Sequence, residues 1–143
     1  GNLGTILRTC DAVGASGLIL LEDSTDPYDP AAVKASMGSI FTVPHFRAGF
    51  SDFAAFLERS ADLVVIGTSD KAAASAFEIA YPPTVLLLLG SERQGLSDQY
   101  VALCSQMLRI PMEGACDSLN ISVAAGVLLY QIYQNRHPER RLP

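Results

Sequence analysis

Apolar residues follow two different spacings along the chain. From Leu3 to Val13 they recur every three or four positions, which predicts a helix that ends at Gly14. Between helical segments lie short, continuous apolar runs, of which residues 63–66 and 84–89 are the clearest. Such runs are typical of strands that are buried on both faces of a parallel sheet. The alternation therefore predicts an α/β fold in which helices cover both faces of a parallel sheet.

The predicted elements occupy most of the chain. Helices are expected over residues 3–13, 31–37, 52–59, 97–104 and 118–135, and strands over residues 17–21, 40–43, 62–67, 84–89 and 107–110. Pro30 can begin the second helix, because the first helical position does not use its amide hydrogen. Residues 72–80 are rich in alanine and are open to two interpretations, a helix or an irregular lid. Residues 1–143 are expected to form one domain.

The last helix has an unusual composition. From Ile121 to Leu129 it is apolar nearly all round, which predicts a buried element. Ser118 is a good N-cap for this helix. The side chains of Ser118, Asn120 and Ser122 place polar groups near its start, and this combination indicates a site. The apolar stripe fits a subunit interface and the core of a single chain about equally well.

Composition and charge exclude several classes of protein. Hydrophobic residues make up 49% of the chain, but no apolar run approaches the roughly 20 residues that a membrane span needs. A net charge of −5 argues against a protein that coats nucleic acid without sequence preference, but it does not exclude local contacts with RNA. Five basic residues could gather into such a contact, although a solvated surface is favoured: Arg8, Lys34, Arg47, Arg93 and Arg109.

Histidine and cysteine do not point to a metal site. His45 and His137 are far apart in the sequence and lack neighbouring ligands. The three cysteines fit neither a zinc site nor a redox pair. We expect reduced thiols, which are typical of a cytoplasmic protein. Cys116 lies in the loop before the last helix, but no histidine near it in sequence would activate it as a nucleophile.

Three loops at the ends of predicted strands carry polar residues. They are Thr68-Ser69-Asp70, Gly90–Gly95 and Pro111–Asp117. Ligands of open parallel sheets bind outside the carboxyl ends of the strands, so these loops form a candidate site. The Gly90–Gly95 loop lacks the Lys-Ser/Thr of a Walker A motif and the first glycines of the dinucleotide fingerprint. Alone, it indicates only a ligand that lies close to backbone.

The first helix supplies another candidate. Gly4 and Arg8 share one face of it, and Asn2 lies near its start. A helix start can receive a phosphate or sugar oxygen. By themselves, these residues are better explained as a capped helix with an exposed arginine.

Taken together, three motifs resemble those of the SpoU (TrmH) RNA methyltransferases, in the same order and over essentially the whole chain. Asn2, Gly4 and Arg8 are similar to the first motif, Asn-x-Gly-x-x-x-Arg. Residues 90–95 are similar to the second motif, Gly-x-Glu-x-x-Gly. The third motif is matched by Ile110-Pro111-Met112, Gly114 and Ser118-Leu119-Asn120-Ile121-Ser122-Val123-Ala124.

The resemblance implies a fold and a reaction. The fold of this family contains a deep C-terminal trefoil knot, in which the last helix is threaded through a loop of the preceding chain. S-adenosylmethionine would bind among the knot loops, and its methyl group would pass to a ribose 2'-hydroxyl of rRNA or tRNA. The family is dimeric, with residues of both chains at the active site, so a homodimer is expected.

The resemblance also implies roles for single residues. The catalytic set would be Arg8, Asn2, Glu92, Ser118 and Asn120. The cofactor would be bound by Thr68, Leu89, Gly90, Glu92, Gly95, Ile110, Met112, Ser118, Leu119 and Ala124. Arg8 is described in the family as the base, but a guanidinium hardly ever loses its proton in a protein. Phosphate clamp or charge stabiliser is therefore an equal alternative for Arg8.

Two other functions are weighed against this one. The first is a non-catalytic RNA-binding or assembly module that keeps the fold, and the presence of all three motifs argues against it. The second is an oxidoreductase with a doubly wound sheet, and the absence of G-x-G-x-x-G after a first strand argues against that. The chain departs from the family pattern at its start. We expect residues 1–143 to lack the strand that usually precedes Asn2 and any N-terminal RNA-binding domain.

Overall fold

The computed structural model describes residues 1–140 and divides the chain into two compact units, Gly1–Arg59 and a second unit that begins at Ser60. Helices and strands are mixed in both units, and all the named strands pair in parallel. The predicted α/β class is therefore confirmed. Within residues 1–140, no helix combines the length and the apolar composition that a membrane span requires. The single domain over residues 1–143 stays a prediction.

The first unit contains three helices and a two-stranded sheet. Its elements are α1 (Asn2–Val13), β1 (Leu18–Leu21), α2 (Pro30–Ser36), β2 (His45–Ala48) and α3 (Phe50–Glu58). β1 and β2 run in parallel, with Leu18 opposite His45 at one end. Gly14 ends α1 in the left-handed conformation, with φ of 71°. This end of α1 is as predicted.

Close packing of α1 on α2 depends on Gly4. A Cβ atom at Gly4 would lie 2.2 Å from the carbonyl oxygen of Ala32 and 2.8 Å from the amide nitrogen of Ser36. Only glycine therefore lets the two helices come this close. α2 begins at Pro30, as predicted, and Asp29 caps it by accepting a hydrogen bond from the amide of Ala31 at 2.9 Å.

The strand predicted over residues 40–43 is wrong. Ser39–Phe41 forms a turn of 3-10 helix, and the strand β2 follows only after Pro44. Gly38, with φ of 89°, directs the chain into this turn. Ile40 and Val43 are both buried, as their apolar character indicates. A short apolar run indicates that its residues are buried, but burial alone does not distinguish a strand from a tight turn.

The second unit is built on a four-stranded parallel sheet. Its elements are β3 (Val64–Thr68), β4 (Ala74–Ser75), β5 (Val85–Leu88), α4 (Asp98–Val101), β6 (Gln106–Arg109) and α5 (Ile121–Arg136). The spatial order of the strands is β4-β6-β3-β5. A further 3-10 turn spans Pro138–Arg140.

Both faces of this sheet are covered, as predicted. On one face, Ile66 and Leu108 pack with Leu128 of α5 in a cluster of buried side chains. On the opposite face, Gly67 lies against Cys104 and against Leu96 before α4. A Cβ atom at Gly67 would meet the sulfur of Cys104 at 2.7 Å. The absence of a side chain there lets the α4 segment lie directly on β3.

Two elements that lie between β3 and β6 in the sequence differ from the prediction. Of the two interpretations of residues 72–80, the helix is wrong, because this segment contributes the short strand β4, which pairs with β6. In this segment, backbone pairing with the edge of the sheet outweighs the helical preference of the alanines. The helix predicted over residues 97–104 is also shorter, since α4 spans only Asp98–Val101.

The start and the burial of α5 both differ from the prediction. Asn120, not Ser118, is its N-cap, and the Asn120 side chain accepts hydrogen bonds from the amides of Ser122 and Val123. The helix is also not buried all round. Only part of it packs on the sheet, and Val123 remains 51% exposed and Tyr130 46% exposed. Its apolar composition is therefore not explained by the core of the described chain alone.

Candidate functional site

The candidate site lies at one edge of the second unit. β6, β3 and β5 are consecutive in the sheet and parallel, so their carboxyl ends lie side by side. The three loops that leave these ends are the ones that the sequence singled out. Hydrogen bonds connect these loops to the neighbouring elements. The loop after β3 is bonded to β6, and the loop after β5 is bonded to the start of α5.

The loop after β3 is fastened to β6. The amide of Ser69 donates to the carbonyl of Leu108 at 3.0 Å. The Ser69 hydroxyl oxygen then accepts from the amide of Lys71 at 3.1 Å, which turns the chain. Thr68, one of the predicted cofactor contacts, ends β3 and is half-buried at this turn.

The loop after β5 is a tight turn that requires glycine at both ends. A Cβ atom at Gly90 would lie 2.2 Å from the carbonyl carbon of Gly95 and 2.4 Å from the amide nitrogen of Leu96. Gly95 has φ of 66° and donates its amide hydrogen to the carbonyl of Ser91 at 2.9 Å. The two glycines of the second motif thus close the turn, and Glu92 lies exposed within it.

The Glu92 carboxylate binds the start of α5. Its Oε1 atom accepts hydrogen bonds from the side-chain amide of Asn120 at 3.1 Å and from the backbone amide of Ile121 at 3.0 Å. A negative charge at a helix N-terminus is favourable, because the first amides of a helix carry unsatisfied positive partial charge. Glu92 therefore connects the loop after β5 to the first turn of the last helix.

Asn120 completes this connection by using both ends of its carboxamide. While its nitrogen donates to Glu92, its Oδ1 atom accepts from the Ser122 amide at 3.0 Å and from the Ser122 hydroxyl at 2.5 Å. This double use also orients the carboxamide, because only one rotation of the group satisfies both sets of partners. The first turn of α5 is thus held by side chains from two loops.

The other predicted residues of the third motif are spread along the loop after β6. Ile110 packs against the buried cluster under α5. Met112 is 36% exposed, and Ser118 is exposed, with its carbonyl accepting from the Cys116 thiol at 2.8 Å. Leu119 and Ala124 are half-buried on either side of the helix start.

The first motif lies in the other unit. Asn2 is the first residue of α1, and Arg8 is exposed on that helix. Gly4, Arg8 and Asp11 follow one another at helical spacing on one face. Gly4 packs on α2, and Asp11 accepts from the Thr42 hydroxyl at 3.2 Å. Arg8 itself is not among the buried residues of α1, and its side chain is exposed.

Two of the basic residues considered as RNA contacts bind backbone instead. Arg47 donates to the carbonyls of Glu22 at 2.8 Å and Thr25 at 3.2 Å. Arg109 donates to the carbonyls of Ala72 and Ala73. Sequence reasoning assigned no specific role to Arg109. The signal that could have found it is a charged residue in the predicted strand 107–110, whose other residues are apolar.

The thiols differ in their surroundings. Burial raises the pKa of Cys10 to about 11 and also raises the pKa of Cys104. Cys116 is exposed. Among residues 1–140, no group of three histidine, cysteine or carboxylate side chains could hold a metal ion.

The first unit has a groove of about 400 Å³ between its sheet and α3. None of the predicted catalytic or cofactor-binding residues lines it. The lining residues are Ile19, Phe46, Arg47, Ala48, Asp52, Phe53, Ala55, Phe56 and Arg59.

Known proteins resemble this chain over nearly its full length. The chain is 37% identical over 141 residues to the 23S rRNA (uridine(2479)-2'-O)-methyltransferase of Streptomyces viridochromogenes, a match that covers 95% of the chain and 49% of that protein. It is 34% identical over 136 residues to the 23S rRNA (guanosine-2'-O-)-methyltransferase RlmB of Haemophilus influenzae, covering 94% of the chain and 55% of that protein. The chain thus spans about half the length of these curated relatives.

A solved structure has the same fold. The AdoMet-bound rRNA methyltransferase from Sinorhizobium meliloti superposes with a TM-score of 0.88 at 37% identity, over 99% of this chain and 52% of that one. The model of the SpoU rRNA Methylase family matches residues 1–130. The three motifs, the parallel sheet and these matches agree, and the chain belongs to the SpoU rRNA methylase family.

Proposed function

We propose that this chain is the catalytic part of an S-adenosylmethionine-dependent methyltransferase that acts on a ribose 2'-hydroxyl of rRNA or tRNA. The single observation that carries the proposal is the pair of hydrogen bonds from Asn120 and Ile121 to Glu92. It joins the second and third motifs into one site at the carboxyl edge of the sheet. The relatives named as rRNA 2'-O-methyltransferases support the reaction class.

The chemistry of this edge suits S-adenosylmethionine. The cofactor joins an adenine base to a methionine tail through a positively charged sulfonium. Half-buried Leu89, Ile110 and Leu119 offer apolar contact for the base, and the backbone beside them offers hydrogen-bond partners. The Glu92 carboxylate adds negative charge. The proposed binding set is completed by Thr68, Gly90, Gly95, Met112, Ser118 and Ala124.

The bound cofactor supplies an electrophilic methyl group, and the protein supplies position and charge. The ribose hydroxyl must be held in line with the sulfonium carbon, and its proton passes to solvent water as the new C–O bond forms. Correct orientation alone lowers the barrier by several kcal/mol. Arg8, exposed on α1, binds the RNA phosphate beside the reacting ribose and stabilises the charge that develops on its oxygen. The base role implied by the family is the competing assignment.

Glu92 and Asn120 have a positioning role in this proposal. Their hydrogen bonds fix the first turn of α5 relative to the Gly90–Gly95 loop, where the methionine portion would lie. Asn2 and Ser118 are both exposed, which leaves them accessible to the RNA. We assign them to substrate contact rather than to proton transfer.

The proposal includes a homodimer in which both chains contribute to the site. Its support is the exposed apolar surface of α5, where Val123 and Tyr130 are about half exposed. Gly126 lies on the same helix, and a Cβ atom there would meet nothing within 4 Å. A second copy of this chain would cover the apolar stripe and leave room for close backbone approach. The trefoil knot and a cytoplasmic location belong to the same proposal.

The proposal also includes a strand that precedes Asn2 in the full-length protein. β1 and β5 are edge strands of their sheets among residues 1–140, yet both consist entirely of leucine, isoleucine and valine. Exposed edges are usually short, charged or covered, because unpaired strand backbone promotes association. Apolar strands of this kind are typical of a sheet interior, so a further strand would pair with one of these edges.

The test is binding followed by transfer. The full-length protein is titrated with S-adenosylmethionine and, separately, with NAD in a calorimeter. It is then incubated with S-adenosylmethionine carrying a labelled methyl group and with unmodified rRNA or tRNA. Methylation of a 2'-hydroxyl blocks alkaline cleavage of the next phosphodiester, so the label should appear in alkali-resistant dinucleotides. Binding of NAD alone would overturn the proposal, and cofactor binding with no transfer to either RNA would favour the non-catalytic module.

A further inference from the structure

We infer that Arg109 is a positioning residue that holds the loop after β3 in the shape that binds the cofactor. The inference rests on the proposed function and extends it to a residue outside the three motifs. Arg109 is the last residue of β6 and is half-buried. Its guanidinium donates hydrogen bonds to the carbonyl of Ala72 at 3.2 Å and to the carbonyl of Ala73.

The same loop is attached to β6 at both ends by backbone bonds. At its beginning, the Ser69 amide donates to the Leu108 carbonyl at 3.0 Å. At its end, the Ala76 amide donates to the carbonyl of Arg109 at 2.9 Å, next to the pairing of Ser75 with Arg109. Residues 69–76 therefore bend around the end of β6, and the Arg109 side chain holds the middle of the bend.

The sequence of this bend explains why an outside side chain is needed. Residues 72–74 are alanines, whose methyl groups cannot form hydrogen bonds, and Lys71 is exposed. Beyond the turn at Ser69, the middle of the loop thus depends on its backbone carbonyls for polar contacts. A guanidinium suits this task, because its Nη1 atom carries two hydrogens and can donate to two neighbouring carbonyls at once.

The loop begins directly after Thr68, which belongs to the proposed cofactor contacts. If the bend loosens, Thr68 and the following carbonyls lose their fixed positions, and binding must then order them again. Ordering a loop on binding lowers affinity without changing the bound state. Arg109 should therefore act on cofactor affinity and leave the methyl-transfer step unchanged.

The charge of Arg109 has no carboxylate partner within the described part of the chain. Glu139 forms ion pairs with His137 and Arg140, and neither pair includes Arg109. A guanidinium without a carboxylate could instead contact an RNA phosphate, and this is the alternative to be separated. A phosphate contact would appear in the affinity for RNA and in its dependence on salt.

The experiment compares Arg109→Met and Arg109→Lys with a matched control, Arg47→Met, in the full-length protein. Methionine keeps an unbranched apolar stem and removes all donors. Arg47 also binds two loop carbonyls, but those of residues 22 and 25 in the first unit. The measurements are KM for S-adenosylmethionine, kcat, cofactor Kd by calorimetry, and RNA affinity at several salt concentrations.

We expect Arg109→Met to raise KM and Kd for the cofactor about tenfold, with kcat at saturation within about twofold of wild type. Arg109→Lys, with one ammonium for two carbonyls, should show a smaller increase. Arg47→Met should leave the cofactor KM unchanged. If Arg109→Met does not fold, Arg109→Lys alone carries the test by the same KM increase.

Two results would overturn the inference. One is an unchanged cofactor Kd in both Arg109 variants. The other is a loss of RNA affinity, with a salt slope lower by about one, while cofactor binding stays normal. Failure of the wild-type protein to bind S-adenosylmethionine would be a different result, because it would contradict the proposed function itself.

Discussion

The starts of α1 and α5 carry the first and third motifs, and they are held in different ways. α5 begins at Asn120, whose side chain binds the helix amides on one side and Glu92 on the other. α1 begins after Gly1, and no side-chain hydrogen bond caps it. Its position depends on Gly4, which allows close contact with α2. Side-chain hydrogen bonds therefore hold the third motif, whereas close helix packing holds the first.

This difference indicates different tasks. A helix start that is fixed by converging side chains is suited to hold a ligand with little reorganisation. A packed helix that presents one exposed arginine is suited to meet a partner molecule, which here would be RNA. Four substitutions test the contrast, in order of decreasing expected effect.

Arg8→Ala should reduce methyl transfer by roughly a hundredfold or more while cofactor affinity stays near wild type, because the lost charge acts on the substrate. Turnover on rRNA or tRNA and calorimetric cofactor binding are the two measurements. Arg59→Ala, another exposed arginine of the same unit, is the control. Full turnover of the Arg8 variant would remove Arg8 from the catalytic set.

Gly4→Ala should destabilise the protein by about 2–3 kcal/mol, since the new methyl group would overlap the Ala32 carbonyl and overpacking outweighs the better helix propensity of alanine. Urea titration of the purified protein measures this free energy of unfolding. An unchanged stability would mean that α1 and α2 separate at little cost, contrary to the packing described.

Glu92→Ala should cost about 1–2 kcal/mol of stability and also weaken cofactor binding, because the Ile121 amide and the Asn120 carboxamide both lose their acceptor. Thermal unfolding with and without S-adenosylmethionine reports both effects. Glu78→Ala, an exposed glutamate of the same unit, should change neither. A Glu92 variant with full stability and full affinity would show that the network does not organise the site.

Gly126→Ala has the smallest expected effect, and its sign is informative. Within one chain the added methyl group meets nothing within 4 Å, so better helix propensity should stabilise the monomer by up to about 1 kcal/mol. If a second copy packs closely on α5, the same change should weaken the dimer. Sedimentation equilibrium of the two proteins decides between these results, and an unaffected dimer would remove Gly126 from the proposed interface.

The sequence predicted the features that depend on local pattern. The run from Val85 to Leu88 forms a strand as expected, and the glycines at 90 and 95 close a turn. Apolar character at Ile40 correctly indicated burial, but it did not reveal that the chain turns there.

The errors at the site have a common cause, which is dependence on distant residues. Ser118 and Asn120 are both suitable N-caps, and the choice of Asn120 involves Glu92, which lies 28 positions earlier. Arg109 could not be assigned for a similar reason, because its partners are the carbonyls of alanines 36 and 37 positions away. Backbone carbonyls have no sequence signature.

The bond between Glu92 and the Ile121 amide has a consequence for synthesis of the protein. The acceptor is made 29 residues before its donor. A ribosome that has released only the chain up to residue 120 exposes the Gly90–Gly95 loop without the helix start that it binds. Since domains can begin to fold during translation, this connection must be among the last to form. A chain that ended before residue 121 would therefore contain all the strands of the sheet and lack the hydrogen bonds that complete the proposed site.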